Sequence, residues 1–132
     1  MADLPVIIQI DDDENYLTVG EIICFNMGLT IRVTARNVNE AKAIISQIEQ
    51  KKLKPDIAII SSFIEVDIDD GMKLAKKLRE LVPSIKIIAY TTDKDTTWGD
   101  ALAEKTTRDS SKSLIAALEK FTNKPFNFNN IQ

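Results

Sequence analysis

Short β-branched apolar runs alternate with segments of helical period along the whole chain. Val6-Ile7-Ile8-Gln9-Ile10, bounded by Pro5 and three aspartates, predicts a buried strand. From Glu14 onward Tyr16, Val19, Ile22, Ile23 and Met27 recur at helical spacing, and Gly28 stands where a helix ends. Thr30 to Thr34 alternates and is β-branched, a strand with one wetter face. Asn37 with Glu40 has the form of a capping box, and Ala41, Ile44, Ile45 and Ile48 follow on one stripe. Asp56-Ile57-Ala58-Ile59-Ile60-Ser61 is almost continuously apolar, as in a strand covered on both faces. After the acidic loop from Ser62 to Asp70, Asp69 or Asp70 can cap a helix carrying Met72, Leu74, Ala75, Leu78 and Leu81, which Pro83 stops. Ile85 to Tyr90 is a fourth strand and Ala101 to Lys105 a weaker fifth. Asp109 or Ser110 caps a last helix with Leu114, Ala117, Leu118 and Phe121.

Strands alternating with helices imply right-handed βαβ units, hence a parallel sheet with helices on both faces. Ligands of such sheets sit beyond the carboxyl ends of the strands. That rim carries Asp11, Asp12 and Asp13 after strand 1, Ser61 and Ser62 after strand 3, Thr91 and Thr92 after strand 4, and Lys105 after strand 5. Between strands 4 and 5 only the short polar segment Asp93 to Asp100 remains, with Trp98-Gly99 inside it. A parallel crossover normally takes a dozen residues or more, so the helix expected there is missing or reduced to a turn. Trp98 then either plugs the core in its place or stands exposed as an anchor for a partner, the plug being favoured.

At 132 residues the chain fits one domain, residues 1–122, followed by an Asn-rich tail or linker, 123–132. Phe126 and Phe128 of that tail either dock on the body or stay loose. No apolar run approaches the length of a membrane span, and the start of the chain has no signal-peptide pattern. The single cysteine, Cys24, cannot form an internal disulfide and lies on a buried helical stripe, which suits a reducing cytoplasm. A net charge of −3 argues against nucleic-acid binding. The absence of histidine removes Ser-His, Cys-His and zinc-finger chemistry outright. Asp67 to Gly71 looks superficially like a calcium loop, but its spacing is wrong and Leu78 stands where the closing Glu would be.

Ile8 to Asn15 with its acidic run, Val33-Thr34-Ala35 leading to Asn39-Glu40-Ala41, Pro55 to Ile60, Asp70-Gly71, Ile87 to Thr91 and Ala103-Glu104-Lys105 occur in the order of six landmarks of one family. Over roughly residues 5 to 122 the chain resembles a response-regulator receiver domain of two-component signalling. The resemblance implies a three-layer, doubly wound, flavodoxin-like α/β fold with five parallel strands in the order 2-1-3-4-5. It also implies a phosphoryl pocket made by Asp11, Asp12, Ser61, Thr91 and Lys105. In the family an aspartate at the tip of strand 3 takes a phosphoryl group with Mg²⁺ held by the acidic pair, and the hydroxyl and lysine then bind the phosphoryl oxygens.

This chain departs from the pattern at the acceptor itself. Ser61 cannot form an acyl phosphate, and a hydroxyl without an adjacent base is a weak nucleophile. Mg²⁺ would keep only Asp11 and Asp12, which implies weak binding at best, and Lys105 should pair with one of those two acids. Ser61 to Gly71 is two residues longer than the family spacing, and Thr106 replaces the usual proline. The expected function is a non-enzymatic, phosphorylation-independent pseudo-receiver that works by contact with a kinase, an effector or another regulator, a homodimer remaining open. The alternatives are a receiver with a displaced acceptor such as Asp67, or a sensor that binds a small anion through Lys105 and Thr91.

Overall fold

The structure is a computed structural model and describes residues 4–64, 70–92, 96–105 and 110–125. Its elements in chain order are β1 (Ile7–Ile10), α1 (Glu14–Asn26), β2 (Ile31–Ala35), α2 (Val38–Glu49), β3 (Ile57–Ile60), α3 (Asp70–Leu81), β4 (Lys86–Thr91), β5 (Ala101–Glu104) and α4 (Ser110–Thr122). All strand pairs are parallel, in the order β2-β1-β3-β4-β5. This is the doubly wound flavodoxin-like sheet that the alternating pattern predicts.

The pleat divides the isoleucines between two cores. Ile7, Ile57, Ile59 and Ile88 face α1 and α4, where Ile23, Cys24, Leu114 and Leu118 meet them. Ile8, Ile10, Ala58, Ile60 and Ile87 face α2 and α3, against Ala41, Ile44, Ala75 and Leu78. The continuous apolar run of β3 thus reflects cover on both sides. Among the described residues no helix is long and apolar enough to cross a membrane.

Local chemistry fixes where the helices begin. Asp13 caps α1, its side chain accepting from the Asn15 N–H at 2.9 Å. Asn37 caps α2 by accepting from the Glu40 N–H at 2.8 Å, while the Glu40 carboxylate reaches back to the N–H of Arg36 at 2.8 Å. At α3 the helix starts on Asp70 itself. Gly71 lies so close to the end of β3 that a Cβ there would come within 2.1 Å of the Ser61 carbonyl oxygen, so only glycine lets the first turn of α3 rest on that strand tip.

The crossover from β4 to β5 is short because β5 pairs only with the last four residues of β4. Ala101 stands opposite Ile88, and Thr91 opposite Glu104. The chain therefore retraces about three strand residues, roughly 10 Å, rather than a whole strand. Among the described residues it does so without a helix, by a turn at 97–98 and bends at 99–100. Trp98 is half-buried and packs against the α2–α3 core. Gly99 presses on β4, where a Cβ would meet that of Ala89 at 2.9 Å. The Asp100 carboxylate accepts from the Ile87 N–H at 2.7 Å and pairs with Arg79 of α3 at 3.0 Å, and Arg79 also donates to the Trp98 carbonyl at 2.8 Å. One carboxylate and one guanidinium thereby pin the turn to the sheet and to α3.

Candidate functional site

Asp11, Ser61 and Lys105 meet at the carboxyl edge of the sheet, following β1, β3 and the edge strand β5, and Thr91 ends β4 on the same edge. The N–H of Asp11 bonds Ala35, that of Ser61 bonds Ile10, and that of Lys105 bonds Thr91, all at 3.0–3.1 Å, so the ladder continues one residue past the strands and aims these side chains. The three aspartates after β1 have different roles. Asp11 is 1% exposed, Asp12 faces solvent, and Asp13 is spent on the cap of α1.

The Asp11 Oδ2 lies 2.6 Å from the Lys105 Nζ, whose side chain is 10% exposed. Its Oδ1 accepts from the Asp13 N–H at 3.0 Å. Of the two acids within reach of the sequence-based expectation, it is Asp11 that Lys105 engages. Burial raises the Asp11 carboxyl above its ordinary range; the charge of Lys105, contact with it and the Asp13 N–H pull it back, and the charge of Asp12 adds a small upward push. The lysine also donates to Ser61 Oγ at 3.3 Å, and that hydroxyl donates to the Phe63 carbonyl at 2.9 Å. Thr91 is buried, and its carbonyl accepts from the Lys105 N–H.

Two residues of the site escaped the sequence reading as functional. The Lys105 Nζ lies 4.4 Å from the centroid of the Tyr16 ring and 5.5 Å from that of Tyr90, and the two rings meet edge to face at 5.4 Å. They form an aromatic seat that favours a cation and shields it from water. The signal available was the place of Tyr16, early in the helix after the acidic run, and of Tyr90, one residue before the rim hydroxyl. Ser62, a rim hydroxyl in the sequence reading, is buried, and its Oγ has no hydrogen-bond partner among the described residues. Asp67, Asp69, Thr106, Asp109, Phe126 and Phe128 lie outside the described residues.

Mg²⁺, implied by the resemblance, does not fit this donor set. One oxygen of Asp11 is held by Lys105 and the other by a backbone N–H, Asp12 points outward, and Ser61 offers a neutral hydroxyl. Among the described residues no three acidic, cysteine or histidine side chains come together as a metal site. The pocket balances one buried acid against one buried base.

No family model and no curated protein matches the chain. Solved structures do resemble it. A CheY-like response regulator receiver domain protein from Methanospirillum hungatei JF-1 is similar with TM-score 0.70 and 20% identity, over 92% of this chain and 95% of that one. A response regulator from Thermotoga maritima gives TM-score 0.70 and 18% identity, covering 92% and 99%. The phosphorylated cyanobacterial phytochrome response regulator RcpA gives TM-score 0.73 and 15% identity, covering 92% and 95%. The likeness shows that this chain shares the fold of these structures.

Proposed function

We propose that this chain is a pseudo-receiver: a domain of the receiver family that signals by protein–protein contact without phosphorylation of its pocket, its partner being a kinase, an effector or another regulator. The observation that carries the reading is the hydroxyl of Ser61 at the tip of β3, next to a lysine already paired with Asp11 at 2.6 Å. A carboxylate there would attack a phosphoryl donor directly. The Ser61 hydroxyl instead donates its hydrogen bond to a backbone carbonyl and accepts one from the Lys105 ammonium, and the chain has no histidine to act as base. The buried acid cannot take the base's role while it balances Lys105. With charge matched inside the pocket, the rim is held in one arrangement, and the domain presents one surface to its partner.

Incubation with acetyl phosphate and Mg²⁺, followed by intact mass measurement, tests this. The expected result is an unchanged mass. A hydroxylamine-labile phosphoryl adduct would overturn the reading and point to a displaced acceptor, for which Asp67 is the first candidate. The alternative of a small-anion sensor requires Lys105 to leave Asp11, and the short ion pair speaks for the closed pocket.

A further inference from the structure

Ile22 and Phe25 are the two most exposed large apolar side chains among the described residues, at 55% and 78%. Both belong to α1, three residues apart, so they are neighbours on one helix face with Cβ atoms roughly 5–6 Å apart. The opposite face of α1 is spent on the core through Leu17, Ile23 and Cys24. A lone apolar side chain is ordinary on a surface, but an aromatic and an aliphatic one on consecutive turns make a strip that gains by being covered.

The chain itself arrives at the foot of this strip. Helix α4 ends at Thr122, and Asn123 turns the backbone with φ at +58° while its N–H bonds the Glu119 carbonyl at 2.9 Å. The Thr122 hydroxyl donates to the Leu118 carbonyl at 2.7 Å and accepts from the Lys124 N–H at 3.2 Å, which fixes the turn from both sides. Pro125 then keeps the helix from resuming. From this turn Lys124 reaches the end of α1, where a Cβ on Gly28 would lie 3.8 Å from its Nζ. A cation there faces the negative end of the α1 dipole.

The sequence that follows suits the strip. Phe126-Asn127-Phe128-Asn129 alternates apolar and polar, and residues 126–132 carry no charged side chain. In extended backbone two side chains at i and i+2 point the same way about 7 Å apart, close to the spacing of Ile22 and Phe25. Gly28 and Ile22 are separated by about 9 Å of helix axis, and seven extended residues span up to roughly 23 Å, so the reach is ample. Asparagines can lie beside Glu21 without repulsion. A second copy of α1, which holds Glu14 and Glu21 and no basic residue, would bring like charges together.

We propose that the segment after Pro125 folds back on α1 and lays Phe126 and Phe128 over Ile22 and Phe25. The tether holds it near the strip at an effective concentration of about a millimolar, so a contact too weak for a free peptide is closed. The rim takes no part: Phe25 stands in the last turn of α1, a helix length from the first turn that Asp13 caps.

The test uses the full chain with labelled isoleucine methyls. Nuclear Overhauser contacts from the rings of Phe126 and Phe128 to the Ile22 methyls are expected. Phe126→Ser/Phe128→Ser should abolish them and shift the amides of Ile22 and Phe25 while leaving those of Asp11 and Lys105 in place. Chymotrypsin followed by mass measurement reads the same contact. Cleavage after Phe126 and Phe128 should run at least tenfold faster in Phe25→Gln than in the parent, with circular dichroism unchanged because Phe25 is exposed. Absence of the ring contacts, equal cleavage rates, or ring contacts to another face such as Leu4 and Val6 would overturn the proposal. So would concentration-dependent shifts at Ile22 and Phe25 that persist in Phe126→Ser/Phe128→Ser, since the occupant would then be a second copy.

Discussion

Replacing Lys105 by alanine removes the only cation paired with Asp11 among the described residues and empties the seat between Tyr16 and Tyr90. Asp11 is 1% exposed, so its charge would remain in a site that water barely reaches. Breaking a buried pair from one side costs about 3–5 kcal/mol. The low end applies, because the lysine side chain keeps 10% exposure and the Asp13 N–H still serves the carboxylate. With an unfolding entropy of about 2.1 cal/mol/K per residue, a loss of ~3 kcal/mol lowers the melting temperature of this chain by roughly 10 °C.

The cost of that substitution has a definite pH dependence. The carboxyl of Asp11 is already raised by burial, and Lys105 is the main influence opposing the rise. Without the lysine its folded-state value climbs further above the unfolded one. A group raised in this way favours the folded state fully below the unfolded value and loses that contribution as pH rises through the folded value. The deficit of Lys105→Ala relative to the parent should therefore be larger at pH 8 than at pH 5, changing by at most about 1.4 kcal/mol per pH unit. Lys105→Met, which keeps most of the stem, should retain the pH-dependent part and lose less packing. Asp11→Asn with Lys105→Met should recover most of the stability, because no charge is left unpaired. Urea unfolding of the four proteins at pH 5 and pH 8 reads all of this. Equal stability of parent and Lys105→Ala, or a deficit independent of pH, would refute the buried pair.

Ser61→Asp places a carboxylate beside Lys105, frees Asp11 to ligate, and should give millimolar Mg²⁺ binding and a phosphoryl adduct with acetyl phosphate; calorimetry showing no Mg²⁺ binding would mean that more than the acceptor is lost. Cys24 is buried, its thiol pushed up to about 12 by desolvation, so Ellman's reagent should leave the native protein unlabelled at pH 8 and react fully in denaturant. Lys51 holds φ at +61° just after α2, a conformation that costs a side chain about 1 kcal/mol, so Lys51→Gly should raise stability by a comparable amount in urea titration.

The sheet was legible because its signals are local. Short isoleucine-rich runs, split by helical stripes, read as strands buried on both faces by their length and β-branching, and parallel connection then follows from their separation. The reduced crossover was legible from length alone. The division of labour among Asp11, Asp12 and Asp13 was not, since three identical side chains differ only in which way the backbone turns after Ile10. The aromatic seat was hidden for another reason: Tyr16 and Tyr90 stand far apart in sequence and each satisfies a helix or strand pattern by itself. The Arg79–Asp100 staple likewise looks like two ordinary surface charges until the turn at 97–98 brings them together. Polar pairings across the fold carry no periodicity, so they appear only when the elements are assembled.

On the pseudo-receiver reading the rim is a closed, charge-matched pocket that accepts no phosphoryl group. Beryllofluoride with Mg²⁺ mimics a phosphoryl group on a carboxylate, and amide spectra report its arrival at every residue. Asp11, Ser61, Thr91 and Lys105 should keep their resonance positions through the titration. Saturable shifts at these residues would contradict it.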